Sequence, residues 1–239
     1  MANDSDADDR DGLDVLGVLA EPTRRRVYDH VVANGDWVSR ESVAAALGLE
    51  RPTVAHHLDR LAGDGLLEVE FRRLTGRQGP GAGRPAKLYR RSAKELSVSI
   101  PPRDYHLAGR LLAEAADRSR LDGVPIGDAL DEAAAAAGRR LGGGIRQRIE
   151  TATAAEAVAR REITLEVLAE QGFEPRIQPD GQVALANCPF HQLAQEHTDL
   201  ICGMNLCLVR AAVDEVGGTG LDARLDPEDG YCCVKLAPS

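Results

Sequence analysis

The five cysteines of this 239-residue chain all lie in its last quarter, where their grouping indicates metal or redox chemistry. Structural disulfides are rare in a reducing compartment, so thiols that cluster near histidines are better explained by a metal site or a redox site. The histidines of the same stretch add possible nitrogen ligands. The candidate side chains are Cys188, Cys202, Cys207, Cys232, Cys233, His191 and His197.

The periodicity of helices and strands predicts which thiols face one another. Cys207 follows Cys202 at a separation that turns it by roughly 140° around a helix, so it faces elsewhere and is predicted to be a core thiol. On a strand predicted for residues 231–236, Cys232 points toward the helices and Cys233 points away. Cys188 lies just before a predicted helix, whose dipole stabilises a thiolate at that position.

Three interpretations of the cysteines remain open on spacing alone. Zinc needs four ligands, such as Cys188, Cys202, Cys232 and His191 or His197, but the compact pair of cysteines that is typical of zinc sites is absent from the sequence. An iron-sulfur cluster tolerates wide spacing and needs three or four soft ligands in a shielded pocket. The cysteines could also be buried without any ligand.

A cysteine next to a histidine could instead serve as an enzyme's nucleophile and base. The sequence places neither an orienting acid nor an oxyanion motif beside these residues. We therefore predict that the protein is not an enzyme.

A helix-turn-helix pattern precedes these residues by more than a hundred positions. Ser39 caps a short helix that ends at Gly48, and a second helix is predicted from Glu50 to Asp64 with its apolar residues on one face. The outward face of the second helix is predicted to enter the DNA major groove. Candidates for base contacts are Arg51, Thr53, His56 and His57, and Arg60 is a candidate for a phosphate contact.

The residues after this helix predict a wing, a pair of strands joined by a flexible loop. Strands are predicted at residues 66–74 and 87–91, and a loop rich in glycine joins them. Residues 72–94 carry many arginines and lysines and neither Asp nor Glu. We predict that Arg77 and Arg84 in the loop contact DNA phosphates, because glycines beside them let the backbone approach closely.

The net charge of −9 is opposite to that expected of a DNA-binding protein, but the acidic excess lies in residues 4–11 and downstream of the predicted wing. DNA interacts mainly with charges within a Debye length of about 10 Å, so the charge of the local patch determines whether DNA is attracted. The acidic N-terminus contains no apolar run of a signal peptide, and no apolar stretch approaches the roughly 20 residues of a membrane span. These features predict a cytoplasmic protein.

The predicted fold class is mixed α/β of the α+β type, with an N-terminal winged helix-turn-helix and a C-terminal sensor domain that contains a small antiparallel sheet. An alanine-rich helix is expected from Ile126 to Leu141, ended by the glycines at 142–144. The predicted segments are a disordered acidic tail (1–11), the DNA-binding domain (12–96), a linker (97–103), a helical dimerisation region (104–171) and the cysteine-containing sensor domain (172–239).

Several motifs resemble a known family of regulators. Residues 51–61 (RPTVAHHLDRL), 65–67 (GLL) and 83–85 (GRP) resemble ArsR-like winged-helix regulators. Residues 187–191 (NCPFH), 200–205 (LICGMN) and 231–234 (YCCV) resemble the SufR branch, which consists of iron-sulfur-dependent repressors of cluster-assembly operons. The resemblance implies a cluster held by Cys188, Cys202 and either Cys232 or Cys233. The sequence leaves the fourth ligand open between His191, His197, a carboxylate and no protein group.

Taken together, the residues and the resemblance predict a repressor that binds double-stranded DNA as a homodimer at an inverted repeat. An iron-sulfur cluster is expected to control its operator binding, with a structural or sensory zinc site as the alternative. Membrane partners are not expected.

Overall fold

The computed structural model describes residues 17–73, 85–93, 95, 97–153 and 156–239, and it divides at Val98 and Ser99 into two compact units. The predicted acidic tail and the candidate phosphate ligands Arg77 and Arg84 lie outside the described residues. Among the described residues, no helix is both long enough and apolar enough to span a bilayer.

The first unit is a set of helices with a small antiparallel sheet. Its elements are α1 (Pro22–Asn34), β1 (Val38–Ser39), α2 (Arg40–Leu47), α3 (Arg51–Gly63), β2 (Leu67–Arg72) and β3 (Ala86–Arg91). The sheet has the strand order β1-β3-β2, with Val69 of β2 opposite Tyr89 of β3.

Local sequence signals set the limits of the predicted helix-turn-helix. The Ser39 hydroxyl accepts a hydrogen bond from the Ser42 backbone N–H, and the Ser42 hydroxyl oxygen accepts one from the Ser39 N–H, so α2 begins with a reciprocal cap. It ends at Gly48, whose φ of +65° suits a residue without a Cβ. Pro52 lies in the first turn of α3, where its missing N–H costs no helical hydrogen bond.

The core of the first unit lies between the helices and the sheet. Val54, Leu58 and Leu61 of α3 are fully buried with Val27 of α1 and with Tyr89 of β3. These contacts fix the orientation of α3, so its opposite face stays exposed. The structure therefore contains the helix-turn-helix and both flanking strands that the sequence predicts.

The second unit combines helices with a four-stranded antiparallel sheet. Its elements are α4 (Tyr105–Asp122), α5 (Ile126–Thr151), α6 (Ala157–Glu170), β4 (Pro175–Ile177), β5 (Val183–Leu185), α7 (His191–Glu196), α8 (Thr198–Val216), β6 (Leu221–Leu225) and β7 (Val234–Pro238). The strand order of the sheet is β4-β5-β7-β6.

The glycines predicted to end the alanine-rich helix lie inside it. Helix α5 continues to Thr151, so the prediction of a helix end at residues 142–144 is wrong. A Cβ added at Gly142 would lie 2.5 Å from the Ala212 carbonyl oxygen of α8, and one added at Gly138 would lie 2.1 Å from the Leu208 carbonyl oxygen of the same helix. Both glycines therefore let the backbones of α5 and α8 approach closely.

The predicted dimerisation region (104–171) and the predicted sensor domain (172–239) share one buried core. Ala108 of α4 and Ala134 of α5 belong to the same buried core as Val183 and Leu236 of the sheet. Residues 99–239 therefore form one compact unit, because the helices bury their apolar faces against α8 and the sheet rather than standing apart.

Candidate functional site

Three separate chain segments bring cysteines together in the second unit. Cys188 follows strand β5, Cys202 lies in the second turn of α8, and Cys232 and Cys233 come directly before β7. The Cys232 N–H donates to the Leu185 carbonyl oxygen at 2.8 Å, so the end of β5 and the start of β7 lie side by side. The fold thus places residues that are far apart in sequence at one end of the two central strands of the sheet.

The thiols form two interacting pairs. Cys188 is hydrogen-bonded with Cys232, and Cys202 is hydrogen-bonded with Cys233. Electrostatic interactions link Cys188 with Cys202 and Cys232 with Cys233, so the four thiols form a single group, here called the cysteine cluster. Cys188, Cys202 and Cys232 are buried, and all the cysteines are free thiols.

The electrostatics of the cysteine cluster favour one thiolate within the Cys188–Cys232 pair. The hydrogen bond from Cys232 lowers the pKa of Cys188, and the same bond together with burial raises the pKa of Cys232. Burial, followed by the hydrogen bond with Cys233, raises the pKa of Cys202 to about 12. Within this pair, Cys188 is therefore the thiol that loses its proton first.

Hydrogen-bond donors surround the sulfurs, as they do around metal-bound thiolates. The backbone N–H groups of Phe190 and Val234 donate to Cys188 and Cys232. The buried Asn205 amide donates from Nδ2 to the Cys232 Sγ at 3.2 Å, while its Oδ1 has no hydrogen-bond partner within the described chain. Such donors orient sulfur ligands and tune a bound metal centre.

The cysteine cluster is a set of sulfur donors rather than a finished metal site. Within the described residues, no group of three or more His, Cys, Asp or Glu side chains already has an arrangement that could hold a metal ion. The thiols instead form hydrogen bonds with each other in two pairs. Four soft donors, three of them buried, nevertheless fit the chemistry of an iron-sulfur cluster or of a zinc ion.

The remaining candidate ligands differ from the cysteine cluster in their surroundings. His191 begins α7 and His197 precedes α8, and both side chains are exposed. Cys207 interacts with Asp131 of α5, and burial raises the pKa of its thiol. Cys233, by contrast, interacts with Cys202 and Cys232.

The position of Cys233 corrects the strand argument made from sequence. Strand β7 begins at Val234, so residues 232 and 233 precede the strand and do not alternate between its faces. Cys232 approaches Cys188, and Cys233 approaches Cys202. Because a non-strand backbone can turn both side chains toward one region, the sequence pattern could not separate them.

Polar contacts fasten the first residues of the second unit to the segment that carries Cys188. The Arg103 guanidinium donates to Asn187 Oδ1 and to the Cys188 carbonyl oxygen, the latter at 3.2 Å. The Asn187 amide donates to the carbonyl oxygens of Pro102 (3.0 Å) and Gly172 (2.6 Å). These bonds are here called the 103–187 latch. Those that join residues 102–103 to residues 187–188 link positions more than eighty residues apart, which no local sequence signal predicts.

The first unit presents the outward face of α3. Arg51, Thr53, His56 and Arg60 are exposed on this helix. Arg60 forms an ion pair with Asp64 one turn later, with the Arg60 Nε 2.8 Å from the Asp64 Oδ2. These side chains can reach an external surface such as DNA.

His57 differs from its predicted outward orientation. Its side chain is only 12% exposed, and its Nδ1 lies 3.6 Å from Glu21 Oε2 at the start of α1. Burial lowers the pKa of this imidazole. His57 lies at the edge of the apolar face rather than on the groove-facing side, because α1 packs across this part of α3.

Acidic side chains compensate part of the wing's positive charge. Glu70 pairs with Arg72, and Glu68 pairs with Arg90. Asp59 of α3 accepts hydrogen bonds from Lys87 and from the Tyr89 hydroxyl. The linear sequence hides these pairs, since every acid lies outside the predicted basic run.

Comparison with known families agrees with the geometry of the first unit. Residues 19–70 match a family model described as a helix-turn-helix domain. No curated protein and no solved structure matches the chain. The matched segment covers α1 to most of β2, and it indicates a DNA-binding transcription regulator.

Proposed function

We propose that this protein is a transcription regulator whose operator binding is controlled by an iron-sulfur cluster held by Cys188, Cys202, Cys232 and Cys233. The observation that carries the proposal is the convergence of these four thiols from three distant chain segments. The helix-turn-helix match supports the DNA-binding half of the proposal.

Four cysteines favour an iron-sulfur cluster over a zinc ion held by three cysteines and one histidine. The neighbouring imidazoles of His191 and His197 are exposed and lie outside the cysteine cluster. N–H donors to sulfur, such as those of Phe190 and Asn205, stabilise the thiolates of iron-sulfur centres. Four cysteines also suit a structural zinc ion, which is the competing outcome of the experiment below.

An iron-sulfur cluster would supply metal-thiolate bonds that oxidant or iron shortage can break. The cysteines would then return to the free thiols of the present structure, in which Cys188 is hydrogen-bonded with Cys232 and Cys202 is hydrogen-bonded with Cys233. Such a change alters the position of the Cys188 segment relative to α8. Two arrangements with different operator affinities are sufficient for regulation.

The 103–187 latch gives the Cys188 segment a connection to the chain that leads from the DNA-binding unit. Arg103 binds both Asn187 and the Cys188 backbone, and the Asp104 N–H donates to the Pro189 carbonyl oxygen at 3.1 Å. Residues 102–104 must therefore follow any displacement of residues 187–189. We expect this to be the route by which the cysteines influence the operator-binding unit.

A homodimer on an inverted repeat is part of the proposal. Helix-turn-helix dimers bind half-sites about one helical turn of DNA apart, about 34 Å. Leu121 near the end of α4 and Ile126 at the start of α5 are exposed apolar residues of the region first predicted to dimerise. Sedimentation of the protein with and without operator DNA tests this part, and a monomer in both conditions contradicts it.

Purification without oxygen tests the nature of the metal. The protein is expected to be brown, to absorb visible light and to contain iron and acid-labile sulfide, whereas a zinc protein is colourless. The Cys202→Ser variant is expected to lose the iron. The matched control is Cys207→Ser on the same helix, whose thiol contacts Asp131 instead of the cysteine cluster, and it is expected to keep the iron.

A colourless wild-type protein with stoichiometric zinc contradicts the iron-sulfur proposal and leaves the DNA-binding function standing. The Arg103→Gln variant tests the coupling separately. It is expected to retain iron while its operator affinity no longer differs between the iron-loaded and iron-free forms. An unchanged difference would show that the latch does not carry the signal.

A further inference from the structure

A cavity of about 220 Å³ lies in the second unit, apart from the cysteine sulfurs. Its apolar wall includes Leu107, Leu141, Phe173, Phe190 and Leu208. A dry cavity of about 150 Å³ is already large enough for benzene. The space therefore suits a small molecule with an apolar body about the size of one aromatic ring.

The polar part of the cavity wall is rich in hydrogen-bond donors. Arg110 and Arg140 line the cavity, and Arg140 has no ion-pair partner among the residues that the structure describes. The Nε2 of Gln171 is buried at the cavity wall and has no hydrogen-bond partner within the described part of the chain. A buried donor without an acceptor costs free energy, and a ligand oxygen would remove that cost.

The acid in the wall is already engaged. The Asp104 carboxylate accepts a hydrogen bond from the Leu107 N–H at 2.8 Å, which caps the N-terminus of α4. The helix dipole offsets its negative charge at that position. Arg110 also faces an acid, since its Nε lies 4.0 Å from the Glu114 Oε1, and His106 completes the polar wall. The donors left to meet a ligand are the Arg140 guanidinium and the Gln171 amide N–H, and both can donate to a carboxylate.

We propose that this cavity binds a small monocarboxylate with an aromatic or compact aliphatic body. The carboxylate would accept hydrogen bonds from Gln171 and Arg140, and the apolar body would contact Phe173 and Phe190. The proposal does not depend on the iron-sulfur function. It assigns a separate ligand site to the same unit, beside Phe190 and the residues that follow Cys188.

Benzoate and benzyl alcohol are a matched pair of probes, because they share the ring and differ in the charged oxygen acceptor. Binding to the full-length protein is measured by saturation-transfer NMR and by calorimetry. Benzoate is expected to bind saturably and at least about tenfold more tightly than benzyl alcohol, since charge-assisted hydrogen bonds are stronger than neutral ones. Equal binding of the two probes contradicts the proposal.

The role of Arg140 is tested by comparison with Arg139, its neighbour on the same helix, since both side chains are exposed. Arg140→Gln is expected to weaken benzoate binding at least about tenfold, whereas Arg139→Gln, which does not line the cavity, is expected to leave it unchanged. Gln171→Leu provides a second variant that removes the donor at nearly constant size. The proposal fails if wild-type protein shows no saturable binding of benzoate or cyclohexanecarboxylate, or if Arg140→Gln and Arg139→Gln behave alike.

Discussion

A single carboxylate joins helix α3 to strand β3. Asp59 of α3 accepts hydrogen bonds from the Tyr89 hydroxyl at 2.7 Å and from Lys87 of the same strand. Tyr89 is buried, with 1% of its surface exposed, so its hydroxyl depends on this acceptor. The contact fixes the angle between the helix and the strand that leads out of the wing.

Replacing Asp59 is expected to destabilise the DNA-binding unit. Asp59→Ala leaves the Tyr89 hydroxyl without its acceptor, which costs about 1–3 kcal/mol of the free energy of unfolding. Glu70→Ala is the control, because its ion pair with Arg72 is exposed and such pairs contribute about 1 kcal/mol or less. Urea unfolding measures both variants, and equal losses would contradict the role of Asp59.

The same contact predicts a dependence on pH. Burial alone would raise the pKa of Asp59, but the hydrogen bonds from Lys87 and Tyr89 outweigh it and lower the pKa. A carboxylate with a depressed folded-state pKa stabilises the fold above the ordinary aspartate pKa of about 3.9. We expect wild-type protein to lose this contribution as the pH falls below that value. Asp59→Asn, which cannot titrate, should show a shallower loss in acid unfolding experiments.

Two arginines of α3 are predicted to have different roles in DNA binding. Arg51→Gln is expected to change base preference and to cost about 1–3 kcal/mol at the preferred site. Arg60→Gln is expected to weaken binding to all sequences equally and to reduce the salt slope by about one charge. Binding to randomised operators at several salt concentrations measures both. An Arg51→Gln protein with unchanged base preference contradicts the assignment.

At the scale of elements, two glycines control the packing of the longest helix pair. Gly138 and Gly142 of α5 lie against carbonyl oxygens of α8, at distances that leave no room for a Cβ. Helix α8 also carries Cys202, so this close contact positions one member of the cysteine cluster. The helix tolerates the low helical propensity of glycine because tertiary packing compensates for it.

Adding one methyl group at this contact is expected to be costly. Gly138→Ala places a Cβ within 2.1 Å of the Leu208 carbonyl oxygen and should destabilise the second unit by about 1–3 kcal/mol through overpacking. Gly143→Ala is the control on the same helix, because its Cβ meets no described atom within 4 Å. This control should be neutral or stabilised by up to about 1 kcal/mol. Thermal unfolding that ranks the variants in the opposite order contradicts this packing.

The sequence predicts an element well when residues close in sequence determine it. The caps at Ser39 and Gly48 are local signals, so the limits of α2 could be read from sequence. The role of Gly138 depends on a helix about seventy residues away, and the sequence alone favours a helix end at the later glycines. Likewise, Cys188 and Cys202 could be grouped by residue type, but the pairing of Cys233 with Cys202 depends on a loop that no periodicity describes.

At the scale of the whole molecule, the described chain contains separate buried cores in its two units. Leu58, Leu61 and Tyr89 belong to the core of the first unit. Leu130, Phe190 and Leu236 belong to the main core of the second. The two sheets also belong to different units. Each unit therefore has the buried apolar surface from which its own cooperative unfolding can arise.

Two separate cores predict two unfolding transitions in the full-length protein. Calorimetry is expected to show a heat profile that a single two-state transition does not fit. Asp59→Ala should lower only one midpoint, by roughly 4–8 °C for each kcal/mol lost in a unit of this size. Gly138→Ala should lower only the other, and the double variant should show both shifts, because sites without shared contacts contribute additively. Midpoints that move together in both single variants would show instead that the two units unfold as one. A change at the cysteine cluster would then affect the DNA-binding unit through their shared stability rather than through the 103–187 latch.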